Sequence, residues 1–288
     1  MYDLCCIGHI TSDKIVTPGN ITYLPGGTAF YFSSALSHIH RNYLLVTAVG
    51  AAEMGFVKML EEKRCEVLCF PSVHTVCFEN IYGDNQDERV QRVTQKADAF
   101  HVAQFANIAA QIFHLGPLLA DDIPLELLAA LSAKARLSLD VQGYLRALEG
   151  ENVVAVDWTD KKNALAHIHF LKANESEAEV LTGIHDIYES ARLLADWGVK
   201  EVIITMGSKG SLIYHEGIFY EVPAYPPVRV TDATGCGDTY MAGYLYQRLK
   251  WRTCDEAGRF GAAMATIKIQ SSGVFEGNEG AVYEMINL

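Results

Sequence analysis

Residues 231–244 read "TDATGCGDTYMAGY". Two glycines, Gly235 and Gly237, flank a single cysteine, Cys236, and a carboxylate, Asp238, follows at once. Beyond them Met241, Leu245 and Leu249 recur at helical spacing, so the glycine turn feeds an amphipathic helix. Glycine lets the backbone approach a ligand closely. The first amides of a helix have no intrahelical partner and lie at the positive end of its dipole. Turn and helix start together make an anion hole, and phosphate is its natural guest. A carboxylate at that place repels a resting anion and needs a reason. One reason is local: aspartate is a good N-cap. The other is chemical. A carboxylate beside a phosphate cradle accepts the proton of an attacking hydroxyl while the amides stabilise the transferring phosphoryl group.

Competing motifs are absent. The chain has no Gly-Lys dipeptide and hence no Walker A loop. It has no G-x-G-x-x-G spacing, no H-R-D triplet, no G-x-S-x-G elbow and no H-E-x-x-H pair. The 288 residues are half hydrophobic and one-fifth charged, an ordinary globular composition. A formal charge of -12 argues against a nucleic-acid or anionic-membrane surface, and leaves a small molecule as the expected partner. No run approaches the roughly 18 apolar residues that span a bilayer. "MYDLCCIGHI" reads as a buried strand, not a signal peptide. Seven cysteines with no C-x-x-C pair suggest free thiols and a reduced, cytoplasmic location, and no ligand spacing suggests zinc. Cys5 and Cys6, adjacent in a strand, must point to opposite faces.

Outward from the glycine turn, short apolar runs alternate with amphipathic ones. This rhythm predicts an α/β fold with a mainly parallel sheet and helices on both faces. Two regions break it. Residues 12–25, containing "TPGNITYLP", carry turn signals and β-formers; residues 74–95 read as a hairpin around "GDNQDE". Together they predict a small extra sheet on one domain spanning 1–288, serving as a lid, as a dimer contact, or only as a surface hairpin.

"TDATGCGDTYMAG" resembles the C-terminal signature of the ribokinase-like (PfkB) carbohydrate kinases, usually D-T-x-G-A-G-D. The resemblance implies a three-layer ribokinase-like sandwich with a β lid. It implies Asp238 as base, Gly235, Cys236 and Gly237 as anion hole, and Asp232 near a monovalent cation such as K+. Cys236 replaces the usual alanine, and its amide can still serve. "KANESEAEVLTG" is similar to the family's N-x-x-E segment, with Asn174 and Glu177 orienting Mg2+ and phosphate, Glu177 through water. By itself this stretch also reads as a capped helix start. "ITMGSKGSLIY" resembles the nucleotide loop, placing Thr205, Gly207 and Gly210 beside ATP. By itself it also reads as a glycine turn between strands. "GHITSDKI" and "PGGTAFYFSSAL" resemble the substrate segments, with Asp13, Gly26 and Gly27 against the acceptor. The family's asparagine four residues after the second glycine is replaced by Tyr31.

The acceptor stretches are less specific. "TVCFENIYGDNQDERVQRVTQKADAF" and "LSLDVQGYLR", followed by Asp157 and Trp158, resemble the branch containing myo-inositol kinases. That resemblance implies Gln142 and Arg146 at the substrate end of the sheet, and Glu79 and Asn80 projecting from the lid. A lid of this kind also serves for homodimer formation in the family. Within the same fold a nucleoside or vitamin-precursor kinase is the competing assignment. A nucleotide- or sugar-sensing protein that has lost its chemistry is the competitor of another class.

Overall fold

The computed structural model describes residues 1–17, 20–82 and 89–287. The tip of the second predicted hairpin, residues 83–88, lies outside them. In chain order the strands begin with β1 (Tyr2–Ile7), β2 (Thr11–Thr17), β3 (Asn20–Gly26), β4 (Tyr43–Val49) and β5 (Glu66–Pro71). Then come β6 (Cys77–Tyr82), β7 (Arg89–Gln95), β8 (Ala110–Leu115), β9 (Arg136–Asp140) and β10 (Arg146–Glu149). The last are β11 (Asn152–Ala155), β12 (Phe170–Asn174), β13 (Glu201–Thr205), β14 (Ser211–His215) and β15 (Ile218–Val222). The helices are α1 (Thr28–Ser37), α2 (Met54–Glu62), α3 (Leu125–Ser132), α4 (Lys161–Leu165) and α5 (Glu175–Thr182). They continue with α6 (Ile187–Asp196), α7 (Cys236–Leu249), α8 (Cys254–Ile269) and α9 (Glu279–Ile286).

The main sheet runs in the order β15-β14-β13-β12-β9-β8-β1-β4-β5. Its pairings are parallel from β13 to β5, and only β14 and β15 are antiparallel. Its strands are apolar because both faces are covered. Leu4 and Cys6 of β1 enter one core cluster with α1, α7 and α8. Cys5 and Ile7 enter the other, with α3, α4, α5 and α6. The two cysteines do point to opposite faces, and the fold has three layers. All seven cysteines are free. Among the described residues no helix is long and apolar enough to cross a membrane.

The second sheet is larger than the sequence suggested. It has six strands, in the order β10-β11-β7-β6-β2-β3. The expected pieces, β2–β3 and β6–β7, form its middle and one edge. β10 and β11 extend it from residues 146–155, which show no strand alternation in the sequence. They are held by pairing with β7 and by packing of Leu148 and Val153 under the sheet. Tertiary pairing overrides weak local preference here. α9 was likewise not legible, because Val282 is its one fully buried side chain.

The two sheets meet where the parallel strands end. Strand order reverses between β1 and β8, and in open α/β sheets ligands bind outside the strand C-termini near such a reversal. Asp140 ends β9, Asn174 ends β12 and Thr205 ends β13, all on that edge.

Candidate active site

A cavity of ≈ 1110 Å³ lies between the C-terminal edge of the main sheet and the inner face of the second sheet. Thr28, Asp140 and Lys172 are among the side chains reaching it from the main sheet and α1. The turn 232–238 forms one wall.

α7 starts at Cys236, with Gly235 as its N-cap in the left-handed region at φ 75°. Asp238 is therefore the third residue of the helix, and no side chain caps the turn. The N-cap explanation for Asp238 fails. The amides of Gly237 and Asp238 lie in the unpartnered first turn, available to a ligand. Gly235 is required twice. Its positive φ favours glycine, and a Cβ there would sit 2.3 Å from the Tyr31 ring. Tyr31, which replaces the family's asparagine, thus packs its ring on the anion turn while also lining the cavity.

Asp238 has unusual electrostatics. Its carboxyl is pushed up to about 7, first by burial and then by the neighbouring Asp140. Lys172 and a hydrogen bond with Thr28 pull it down, and Glu177 adds to the upward push. Asp140 is otherwise committed: its Oδ2 accepts from Lys172 Nζ at 2.8 Å and its Oδ1 from the Gln142 amide at 3.2 Å. Two carboxylates in one cleft thus differ in freedom, and that separation assigns roles. Asp238 is left to exchange a proton.

Lys172 is the residue that motif reading passed over. It lies inside the quoted stretch "KANESEAEV", two residues before Asn174. Its ammonium would stand 3.2 Å from a Cβ on Gly237, so it faces the anion turn. Burial would lower its pKa. Asp140 first, then Glu177 and Asp238, raise it instead, and the side chain stays charged. A lysine inside an otherwise apolar strand, where a parallel sheet is covered on both faces, is the sequence signal that marks it.

Asn174 and Glu177 form a capping box: Asn174 Oδ1 accepts from the Glu177 amide at 2.8 Å, and Glu177 Oε2 accepts from the Asn174 amide at 2.7 Å. The local reading of this segment is realised. It does not compete with a site role, because capping occupies one Glu177 oxygen. Burial, opposed by Lys172, raises the Glu177 carboxyl and ties it to the same charge cluster. Thr205 sits beside Asn174 in register at the strand ends. Gly210, at φ 99°, allows β15 to close over it, since a Cβ would lie 2.0 Å from the Val222 carbonyl. Gly207 is open, with nothing near a Cβ. These five residues gather at the ends of β12 and β13, and none of them lines the large cavity.

On the acceptor side, Asp13, Gly27, Asn80, Gln142 and Arg146 all line the cavity. Gly26 does not. It packs against Asp13, whose Oδ2 would lie 2.5 Å from a Cβ there. Glu79 is a correction. Neighbours on a strand face opposite ways, so Glu79 and Asn80 cannot both face the cavity. Glu79 turns outward to pair with Lys14 at 2.6 Å, in a separate ≈ 520 Å³ pocket. Trp158 stacks on Tyr144 at 4.0 Å and supports the turn after Asp140, while Asp157 pairs with Lys161.

Asp232 brings a second correction. Expected beside a monovalent cation, it already holds one from the chain. Lys268 Nζ donates to the Asp232 carbonyl at 2.8 Å and to its Oδ2 at 3.1 Å. Both of these Asp232 oxygens already face a positive charge.

These features coincide with a known family. The model of the pfkB family carbohydrate kinases matches residues 1–280, and the chain belongs to that family. It is a phosphotransferase of ribokinase fold with an alcohol group as acceptor. A cytidine kinase from Thermococcus kodakarensis is 30% identical over 276 residues, covering 92% of this chain and 95% of that protein. Among solved structures, a pyrophosphate-dependent kinase of the ribokinase family, complexed with a pyrophosphate analog and myo-inositol, superposes with a TM-score of 0.85. It is 28% identical and covers 95% of this chain and 97% of that one. Arabidopsis thaliana ribokinase, complexed with ribose and ATP, shares the fold at a TM-score of 0.80 and 19% identity, covering 100% and 99% of the two chains.

Proposed function

We propose that the protein transfers the terminal phosphoryl group of ATP to a hydroxyl of a sugar or polyol, with myo-inositol the first candidate. The observation that supports this most is Asp238: a carboxyl raised to about 7, in the first turn of a helix where the Gly237 and Asp238 amides have no backbone partner, beside a buried ammonium. Asp238 takes the proton of the attacking hydroxyl. The turn of Gly235, Cys236 and Gly237 binds the phosphoryl oxygens through the amides it leaves unpartnered, the Cys236 amide itself donating to the Ala233 carbonyl at 3.2 Å, and Lys172 offsets the charge that develops there. Asn174, Glu177, Thr205, Gly207 and Gly210 make the donor side. Glu177 keeps one oxygen for the water shell of Mg2+, and the ion would neutralise phosphate charge when bound.

Asp13, Asn80, Gln142 and Arg146 contact the acceptor, with Gly27 at its edge. Carboxylate, amide and guanidinium groups together match the alternating donors and acceptors of a polyol. The second sheet acts as a lid over one domain, excluding water from the transfer. Ile21 and Tyr23, more than half exposed on its edge strand β3, suit pairing of two copies through the lid.

A nucleoside acceptor is the second reading. Phe30, Tyr31 and Phe78 line the same cavity and offer rings on which a base can stack. Coupled assays with MgATP, and separately with Mg–pyrophosphate, across myo-inositol, ribose, fructose, cytidine, adenosine and no acceptor test both. Turnover on myo-inositol supports the polyol reading; turnover on cytidine alone moves the nucleoside reading to first place. Turnover only with pyrophosphate replaces the donor. Donor binding without turnover on any acceptor supports a sensor.

A further inference from the structure

We propose that Lys268 is a built-in substitute for the monovalent cation: its ammonium holds the anion turn in its binding geometry, so donor binding needs no potassium. The inference rests on the reading of residues 235–237 as the phosphate site.

Lys268 lies in the last turn of α8, and its side chain is fully buried. A lysine with no exposed surface must find partners for its charge. It finds those a potassium ion would take. A main-chain carbonyl, that of Asp232, accepts at 2.8 Å, and a carboxylate oxygen of the same residue accepts at 3.1 Å. The face of Tyr31 lies with its centroid 5.9 Å away, a cation–π distance. The tyrosine that replaces the family's asparagine therefore touches both ends of this arrangement: its ring packs on Gly235 and faces the Lys268 ammonium.

The charge is transmitted to the turn through short links. Asp232 Oδ1 accepts from the Thr234 amide at 2.9 Å, while Oδ2 faces the ammonium. The end of α8 clamps the preceding backbone, because the Ile269 carbonyl accepts from the Thr231 amide at 2.8 Å and the Asp232 amide at 3.3 Å. Asp232 is pulled down overall. Burial opposes the shift, but the Thr234 amide and hydroxyl and Lys268 outweigh it. The segment that leads into Gly235 is thus fixed by one tethered positive charge. A tethered ion has no dissociation equilibrium with bulk salt, whereas a bound potassium ion does. Lys268 reaches no reacting atom and acts through Asp232, so it is a positioning residue.

The test uses the full chain. Affinity for an unreactive ATP analogue with Mg2+ is measured by calorimetry, and turnover by coupled assay, with choline chloride replaced by KCl at constant ionic strength. Wild type should respond to neither. Lys268→Met should lose at least about tenfold in donor affinity, and KCl or NH4Cl should restore it and raise the Tm of the variant alone. A rise in wild-type affinity or turnover with potassium would overturn the proposal, even if the variant fails to fold. So would a loss in Lys268→Met that neither ion repairs, since that marks a purely structural lysine. Wild type that binds no donor in either salt removes the phosphate reading itself, and this inference with it.

Discussion

The glycine turn and the six-stranded second sheet face each other across one cavity, yet they are built by different means. The turn is local: residues 232–238, held by Asp232, Thr234 and the start of α7, and the binding groups proposed for it are backbone amides. The sheet is assembled from strands spread over residues 11–155, and its binding groups are side chains whose direction depends on strand register. Backbone chemistry tolerates sequence change, so a cysteine in place of alanine still starts the helix directly after Gly235. Side-chain chemistry does not. A one-residue step turns a contact away, as between Asn80 and Glu79. The donor half of such an enzyme is therefore a stable signature, and the acceptor half is where specificity changes.

The comparison is broken or sharpened by experiment. Asp238→Asn should lower kcat by about 10²–10⁴-fold, the range for removal of a general base, while calorimetry finds donor affinity retained. The same variant should have a higher Tm above neutral pH. The folded Asp238 carboxyl is raised, so its charged form destabilises the native state as pH climbs from the ordinary carboxylate range to about 7. Full turnover in Asp238→Asn would remove the base assignment.

Lys172→Met should cost about 3–5 kcal/mol in chemical denaturation, because Asp140 is left buried without its counter-charge. Replacing both partners by apolar residues should recover most of that stability but not the turnover. Recovery of turnover as well would mean that the pair only supports the fold.

The pH profile separates the two carboxylates. Below about pH 7, kcat/KM should fall as Asp238 takes up a proton. Asp140→Asn removes the neighbouring negative charge and should move that limb to lower pH. An unmoved limb would mean that Asp140 does not act on the base.

The smallest effects belong to the sheet. Asn80→Ala should raise acceptor KM by about fivefold, one neutral hydrogen bond's worth, whereas Glu79→Ala should leave it unchanged. An equal effect of both would overturn the strand-face argument.

Residues that act through local backbone were legible. The glycines, the positive-end helix start, the Asn174–Glu177 box and the strand–helix rhythm all follow from nearest-neighbour chemistry, which a linear sequence displays. So does the opposite facing of Cys5 and Cys6, since alternation along a strand is a local rule. The position of Asp238 was legible, but that it does not cap the helix needed the helix start at Cys236. What only the tertiary structure decided depends on residues far apart in the chain. Lys172 meets Asp140 across 32 positions and Lys268 meets Asp232 across 36. The strand pair at 146–155 exists because β7 is there to receive it. Sequence alone determined the family and the glycine turn, because both are short-range patterns. The charge that balances that turn was set by folding, because a buried ammonium is defined by its neighbours.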